Sequence, residues 1–169
     1  LAFRVVFVCS GNTCRSPMAE ALLKERIRKD PLLQQIGIEV RSAGLDAVEG
    51  EPAAEEAVRI LDARAVSLRD HRTSRFGESH LDYDLILTMT QSHKFRILLA
   101  YPEVAAKLYT LKEYAELAGP LDVADPFMRG DEAYKAALAE IDQAVEAVAR
   151  RLKRELASAD QAKRGEPEQ

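Results

Sequence analysis

No apolar run in this 169-residue chain approaches the roughly 18 residues that a membrane-crossing helix needs. No signal-peptide pattern opens the sequence as given, so no membrane partner is expected and the expected compartment is the cytoplasm. No long basic stretch occurs either: 24 Lys and Arg stand against 28 Asp and Glu, a net charge of −4, with a pI near 5.5. That balance argues against nucleic acid as a partner. Cysteine is scarce. Cys9 and Cys14 are the only pair, and both fall in one short segment, which is not how a secreted disulfide framework is laid out. His80 and His93 read as sitting in polar surroundings without ligand spacing, so neither a metal site nor a cofactor is expected. There is no internal repeat and no low-complexity tract apart from residues 158–169, a polar stretch expected to be a disordered tail.

What is present is enough for one good core: 47% hydrophobic and 31% charged residues, most simply a single domain over residues 1–157 and a monomer. Phe3 to Val8 is near-continuous and β-branched, the pattern of a strand covered on both faces. Pro17 to Lys29 carries Ala19, Leu23 and Ile27 on one helical face; Ile36 to Ser42 reads as a second strand and Pro52 to Arg64 as a second helix. Asp84 to Met89 and Ala106 to Thr110 read as further strands, with Thr90 capping a helix between them. Asp131 opens a last long helix, with Tyr134, Leu138, Ile141, Val145, Val148 and Leu152 spaced by three and four. Alternation of this kind predicts an α/β fold: a four-stranded parallel sheet flanked by helices in a three-layer sandwich.

The segment Cys9-Ser10-Gly11-Asn12-Thr13-Cys14-Arg15-Ser16-Pro17 leaves the first strand and enters the first helix. Gly11 and Asn12 suit a loop that needs positive φ, and Ser16 as N-cap with Pro17 at the first helical position suits the helix start. Such a turn gathers backbone N–H groups from Ser10 onward around one phosphate-sized anion. Helix dipole and Arg15 both favour thiolate over thiol, which makes Cys9 a nucleophile, and the Arg15 fork can hold two oxygens of a transferring phosphoryl group. Ser16 can donate to the Cys9 sulfur. The loop has no Lys, so it is not the nucleotide-binding glycine-rich loop. Sulfenic acid formed on Cys9 could be trapped as a Cys9–Cys14 disulfide if the sulfurs approach; Cys14 could equally pack under the loop as a small hydrophobe.

Cys-x5-Arg-Ser-Pro, continued through Met18-Ala19-Glu20, resembles the signature of the low-molecular-weight protein tyrosine phosphatase family. Arg41-Ser42-Ala43-Gly44, His71-Arg72 and Asp125-Pro126-Phe127 are similar to further family segments in the same order. The resemblance implies that the loop follows strand one, that Asn12, Ser42 and His71 brace it by hydrogen bonds, and that Asp125 is the general acid. In-line displacement does need an acid opposite the thiolate, and Phe127 would supply an apolar wall favouring the protonated carboxyl. An Asp in this place is also the ordinary cap of a turn before a helix. Phosphorylated proteins are the implied substrates, with inorganic phosphate as product and inhibitor.

The finer resemblance is to the bacterial protein arginine phosphatase branch of that family, carried by the loop sequence, by Leu87 to Lys94 and by Thr110 to Tyr114. It implies that Thr13 selects phosphoarginine and that Asp125 contacts the guanidinium. Thr13 replaces a bulky aliphatic of the tyrosine-specific members, Leu45 to Glu51 carries no aromatic, and Phe127 is followed by Met128. Glu49 and Glu51 are expected to add negative potential at the rim. Tyrosine phosphatase is the alternative. An arsenate reductase would need another cysteine pair after Cys14, and a binding module without catalysis would lack Cys9, Arg15 or Asp125.

Overall fold

The computed structural model describes residues 1–165. Four parallel strands, β1 (Phe3–Cys9), β2 (Ile38–Gly44), β3 (Leu85–Thr88) and β4 (Leu108–Thr110), form one sheet in the order β2-β1-β3-β4. Among the described residues six α-helices connect or follow them: α1 (Arg15–Lys29), α2 (Pro31–Ile36), α3 (Glu55–Asp62), α4 (Gln91–Ala100), α5 (Leu111–Tyr114) and α6 (Asp131–Arg164).

The period of two in β1 explains the layers. Val5, Phe7 and Cys9 point into the core shared with α1, α3, α5 and α6, while Val6 and Val8 point into the opposite core with Ala43, Phe76, Ile86 and Ile97 of α4. Both faces are therefore covered, as an all-parallel sheet requires. The order 2-1-3-4 reverses direction between β1 and β3, and the crevice at the carboxyl ends of these two strands is where such sheets bind ligands.

The structure bears out the expected architecture and moves several boundaries. Ser16 is not the N-cap. Cys14 occupies that position without a side-chain cap bond, and Ser16 lies inside the first turn. Asp30 ends α1 and caps α2, a short helix without a long periodic signal, by accepting from Leu32 and Leu33. Residues 158–164 are not a disordered tail: α6 continues to Arg164 and ends at Gly165 in the left-handed conformation. The polar composition there reflects a solvated helix surface with ion pairs such as Arg164 to Asp160 at 3.2 Å. The rest of the expected tail, residues 166–169, lies outside the described residues. No helix among the described residues is long and apolar enough to cross a membrane.

Candidate active site

Cys9 ends β1 and Arg15 begins α1, so the intervening residues must reverse the chain within one tight loop. Its carbonyls point away from the centre and are taken by other segments. Cys9 O and Ser10 O accept from Leu45 and Asp46 at 2.9 Å each, Thr13 O accepts from Ala54 at 2.9 Å, and Cys14 O accepts from Met18 at 3.1 Å. Asn12 O receives the His71 ring nitrogen at 2.8 Å. The backbone N–H groups of Gly11 to Arg15 donate to no protein atom among the described residues. Buried N–H groups are rarely left orphaned, so this set is built to be satisfied by an anion.

Asn12 fixes the turn. It is fully buried, has φ of 58°, and spends every polar atom of its side chain. Its amide donates to Ser16 Oγ and Ser42 Oγ, both at 2.9 Å, while its Oδ1 accepts from Ser74 N at 2.9 Å. Ser42 in turn donates to Glu20 Oε1 at 2.6 Å, and Glu20 is paired with Lys24. With both amide hydrogens accounted for, the Ser16 hydroxyl is left to donate. Its oxygen lies 2.8 Å from Cys9 Sγ, the geometry for stabilising a thiolate.

A cavity of about 230 Å³ opens over the loop. Cys9, Ser10, Gly11, Thr13, Cys14 and Arg15 form its floor, and Asp125 with Phe127 forms a wall. That volume suits one side chain with its phosphoryl group better than a whole drug-sized ligand. Arg15 is buried; its Nη1 donates to Val123 O at 2.8 Å and its Nη2 lies 3.6 Å from Asp125 Oδ2. Asp125 accepts from Phe127 N at 3.1 Å through Oδ1. One Asp125 oxygen thus serves the turn while the other faces the Arg15 guanidinium.

Most expected site residues meet here. Asn12 and Ser16 lie beneath the floor as supports rather than on it, and Ser42 and His71 brace the loop as expected. Glu49 and Glu51 are a correction: neither lines the cavity. The Glu49 carboxylate is held at Arg75 N at 2.7 Å, and the Glu51 backbone N–H donates to Thr73 Oγ1 at 2.8 Å.

The polar surroundings expected for His80 and His93 are also a correction, since both rings are buried. His80 stacks on Phe76 with centroids 5.1 Å apart. His93, in the first turn of α4, places Nε2 at 2.8 Å from Ser10 Oγ. Nothing in the spacing of His93 signals this; only the adjacency of β1 and β3 brings α4 to the loop. Burial, and then the charge of Arg15, pushes the His93 pKa down to about 4. Burial likewise raises the Cys14 thiol pKa, against a hydrogen-bonding contact with the Tyr134 hydroxyl at 3.2 Å. Among the described residues, no cluster of three His, Cys, Asp or Glu could hold a metal ion.

An all-parallel sheet with a Cys-x5-Arg loop at its switch point and a carboxylate across the cavity defines the class of cysteine-dependent phosphatases. Residues 4–158 match the family model described as low molecular weight phosphotyrosine protein phosphatase, and the chain belongs to that family. A protein-arginine-phosphatase from Geobacillus stearothermophilus is 38% identical over 92% of this chain and 99% of its own length. A solved arginine phosphatase, with its active-site cysteine replaced by a phosphorylated serine, has a TM-score of 0.81 and 36% identity, covering 90% of this chain and 99% of that one. A low molecular weight protein tyrosine phosphatase from T. tengcongensis has a TM-score of 0.81 and 38% identity, covering 89% and 100%.

Two outcomes follow from this geometry. A Cβ at Gly44 would lie 2.5 Å from Ser10 O and 2.9 Å from Asn12 N, both backbone atoms, so Gly44→Ala must displace the loop. It should lower kcat/KM on a chromogenic phosphate ester by about 100-fold or more while circular dichroism stays native, because a misplacement near 1 Å suffices. The second concerns acid. With His93 folded near 4 against an ordinary value of 6.5, the unfolded chain takes up the proton first, so this contribution to stability is lost as pH falls through that window. Between pH 7 and pH 4, urea unfolding of the wild type should lose up to about 3 kcal/mol more than that of His93→Gln.

Proposed function

We propose that this protein hydrolyses phosphoarginine in proteins. The observation that carries the reading is the cavity itself, in which Thr13 shares the floor with Cys9 and Arg15, and Phe127, half exposed, is the one aromatic among the lining residues. A phenol ring wants aromatic walls to stack on. A guanidinium wants polar acceptors, and Thr13 and Asp125 are the lining residues whose side chains carry them beside Cys9. The arginine phosphatases similar to this chain in sequence and in fold support the same reading.

In this reading Cys9 thiolate attacks phosphorus, forming the S–P bond as the P–N bond breaks. The electron pair leaves with the arginine nitrogen, and Asp125 gives that nitrogen its proton. Arg15 and the inward N–H groups hold the equatorial oxygens, where charge is greatest. Asp125, now a carboxylate, takes a proton from water as the water oxygen attacks phosphorus; the S–P bond breaks and Ser16 receives the returning thiolate charge by its hydrogen bond. Inorganic phosphate leaves as product and rebinds as inhibitor. The protein acts as a monomer in the cytoplasm, where reduced cysteines persist. Tyrosine phosphatase is the second reading, favoured by Phe127 at the mouth and by the tyrosine phosphatase of the same fold.

Matched phosphoarginine and phosphotyrosine peptides separate the two. The wild type should show the higher kcat/KM on phosphoarginine, Cys9→Ser should abolish turnover of both, and Thr13→Ile should lower phosphoarginine turnover by about 10-fold or more beyond its effect on phosphotyrosine. Preference for phosphotyrosine would overturn the arginine reading and leave the nucleophile in place.

Cys9 and Cys14 are also proposed as a redox pair. Peroxide takes Cys9 thiolate to sulfenate; the Cys14 sulfur then attacks it, forming the disulfide and releasing the sulfenate oxygen as water. Both are free, buried cysteines in the same loop. Peroxide-treated wild type should regain activity with dithiothreitol, whereas Cys14→Ser should be lost irreversibly as Cys9 oxidises further; equal recovery in both would remove the pair.

A further inference from the structure

His93 Nε2 lies 2.8 Å from Ser10 Oγ, while its Nδ1 is buried without any hydrogen-bond partner among the described residues. The two ring nitrogens cannot both carry a proton in neutral imidazole. A buried N–H without an acceptor is the costlier orphan, and an under-used lone pair the cheaper one. The proton therefore belongs on Nε2, and His93 donates to Ser10.

That assignment has a consequence at the cavity. Ser10 Oγ spends a lone pair on His93, so its own proton must find a different acceptor, and Ser10 lines the cavity floor beside Cys9 and Arg15. We propose that His93 is a positioning residue that turns the Ser10 hydroxyl outward as a side-chain donor to the bound phosphoryl group, beside the backbone N–H groups of the loop. This rests on the phosphatase reading of the cavity. Its frame is rigid: Thr90 Oγ1 caps α4 by accepting from His93 N at 3.1 Å, and Ser10 O is clamped by Asp46 N at 2.9 Å. The Asp46 carboxylate is in turn paired with Arg96 of α4, with both contacts at 2.9 Å, so one segment ties α4 and the loop together. Burial and Arg15 keep the ring neutral near pH 7, so the single-proton argument applies where the enzyme works.

The experiment measures inhibition by inorganic phosphate during turnover of p-nitrophenyl phosphate, with the full chain. Ser10→Ala and His93→Ala should each raise the phosphate Ki by about 5–10-fold, the double variant by no more than either, since they remove one and the same hydrogen bond to phosphate. His93→Gln, whose amide N–H reaches the place of Nε2, should recover most of the loss. Nitrogen-15 shifts of the His93 ring in the wild type should report the Nε2–H tautomer, a readout that needs no variant to fold. A Nδ1–H tautomer, independent multiplication of the two effects, or an unchanged Ki in His93→Ala would overturn the assignment while the phosphatase reading stands. Wild type that neither turns over the ester nor binds phosphate would overturn both.

Discussion

Everything at this site depends on one buried amide held in a left-handed backbone conformation. Asn12 has φ of 58° and no solvent exposure, a combination that a side chain tolerates only when its hydrogen bonds over-determine it. They do: Ser16, Ser42 and Ser74 take its side chain and His71 takes its carbonyl. With Asn12 so placed, the loop turns its carbonyls toward neighbouring segments and its N–H groups toward the cavity. All of these bonds are made within the protein, so the fold itself sets the order of the loop.

The loop is consequently not an appendage of the fold but its most constrained part. Segments after β2, after α3 and from the start of α4 each hold a different piece of it, and Gly44 lets β2 approach closer than any Cβ permits. The same bonds define the chemistry. Because Asn12 uses Ser16 as an acceptor, Ser16 can donate only to the Cys9 sulfur or, more weakly, to Ala43 O at 3.4 Å. The Cys9 thiol and its support belong to one hydrogen-bonded chain that continues outward through Ser42 to Glu20 and Lys24.

Particular residues show how far sequence reasoning reached. The sheet, the order of elements and the Cys9-to-Arg15 loop were legible because strand period, helix period and turn chemistry are local properties. Thr90 and Asp131 were legible as helix starts for the same reason. Ser16 looks like an N-cap because residue type alone cannot distinguish a cap from a first-turn hydroxyl; at this helix Cys14 holds the cap position without a side-chain cap bond. Residues 158–164 looked frayed because polarity is shared by tails and by solvated helix surfaces. Charge alone does not show where a carboxylate turns: Glu49 is held at Arg75 N, and neither Glu49 nor Glu51 lines the cavity.

By itself the sequence determined the α/β class and the loop from Cys9 to Arg15, since each rests on neighbouring residues and their spacing, while Asp125 was singled out only by family resemblance. Tertiary structure alone decided which side chains meet across distance. Strand order brought His93 of α4 onto Ser10 and Tyr134 of α6 onto Cys14, and it set Asp125 within 3.6 Å of Arg15. The physical reason is that a local pattern fixes the direction of a side chain on its own element, whereas a contact depends on how separate elements pack around a shared core.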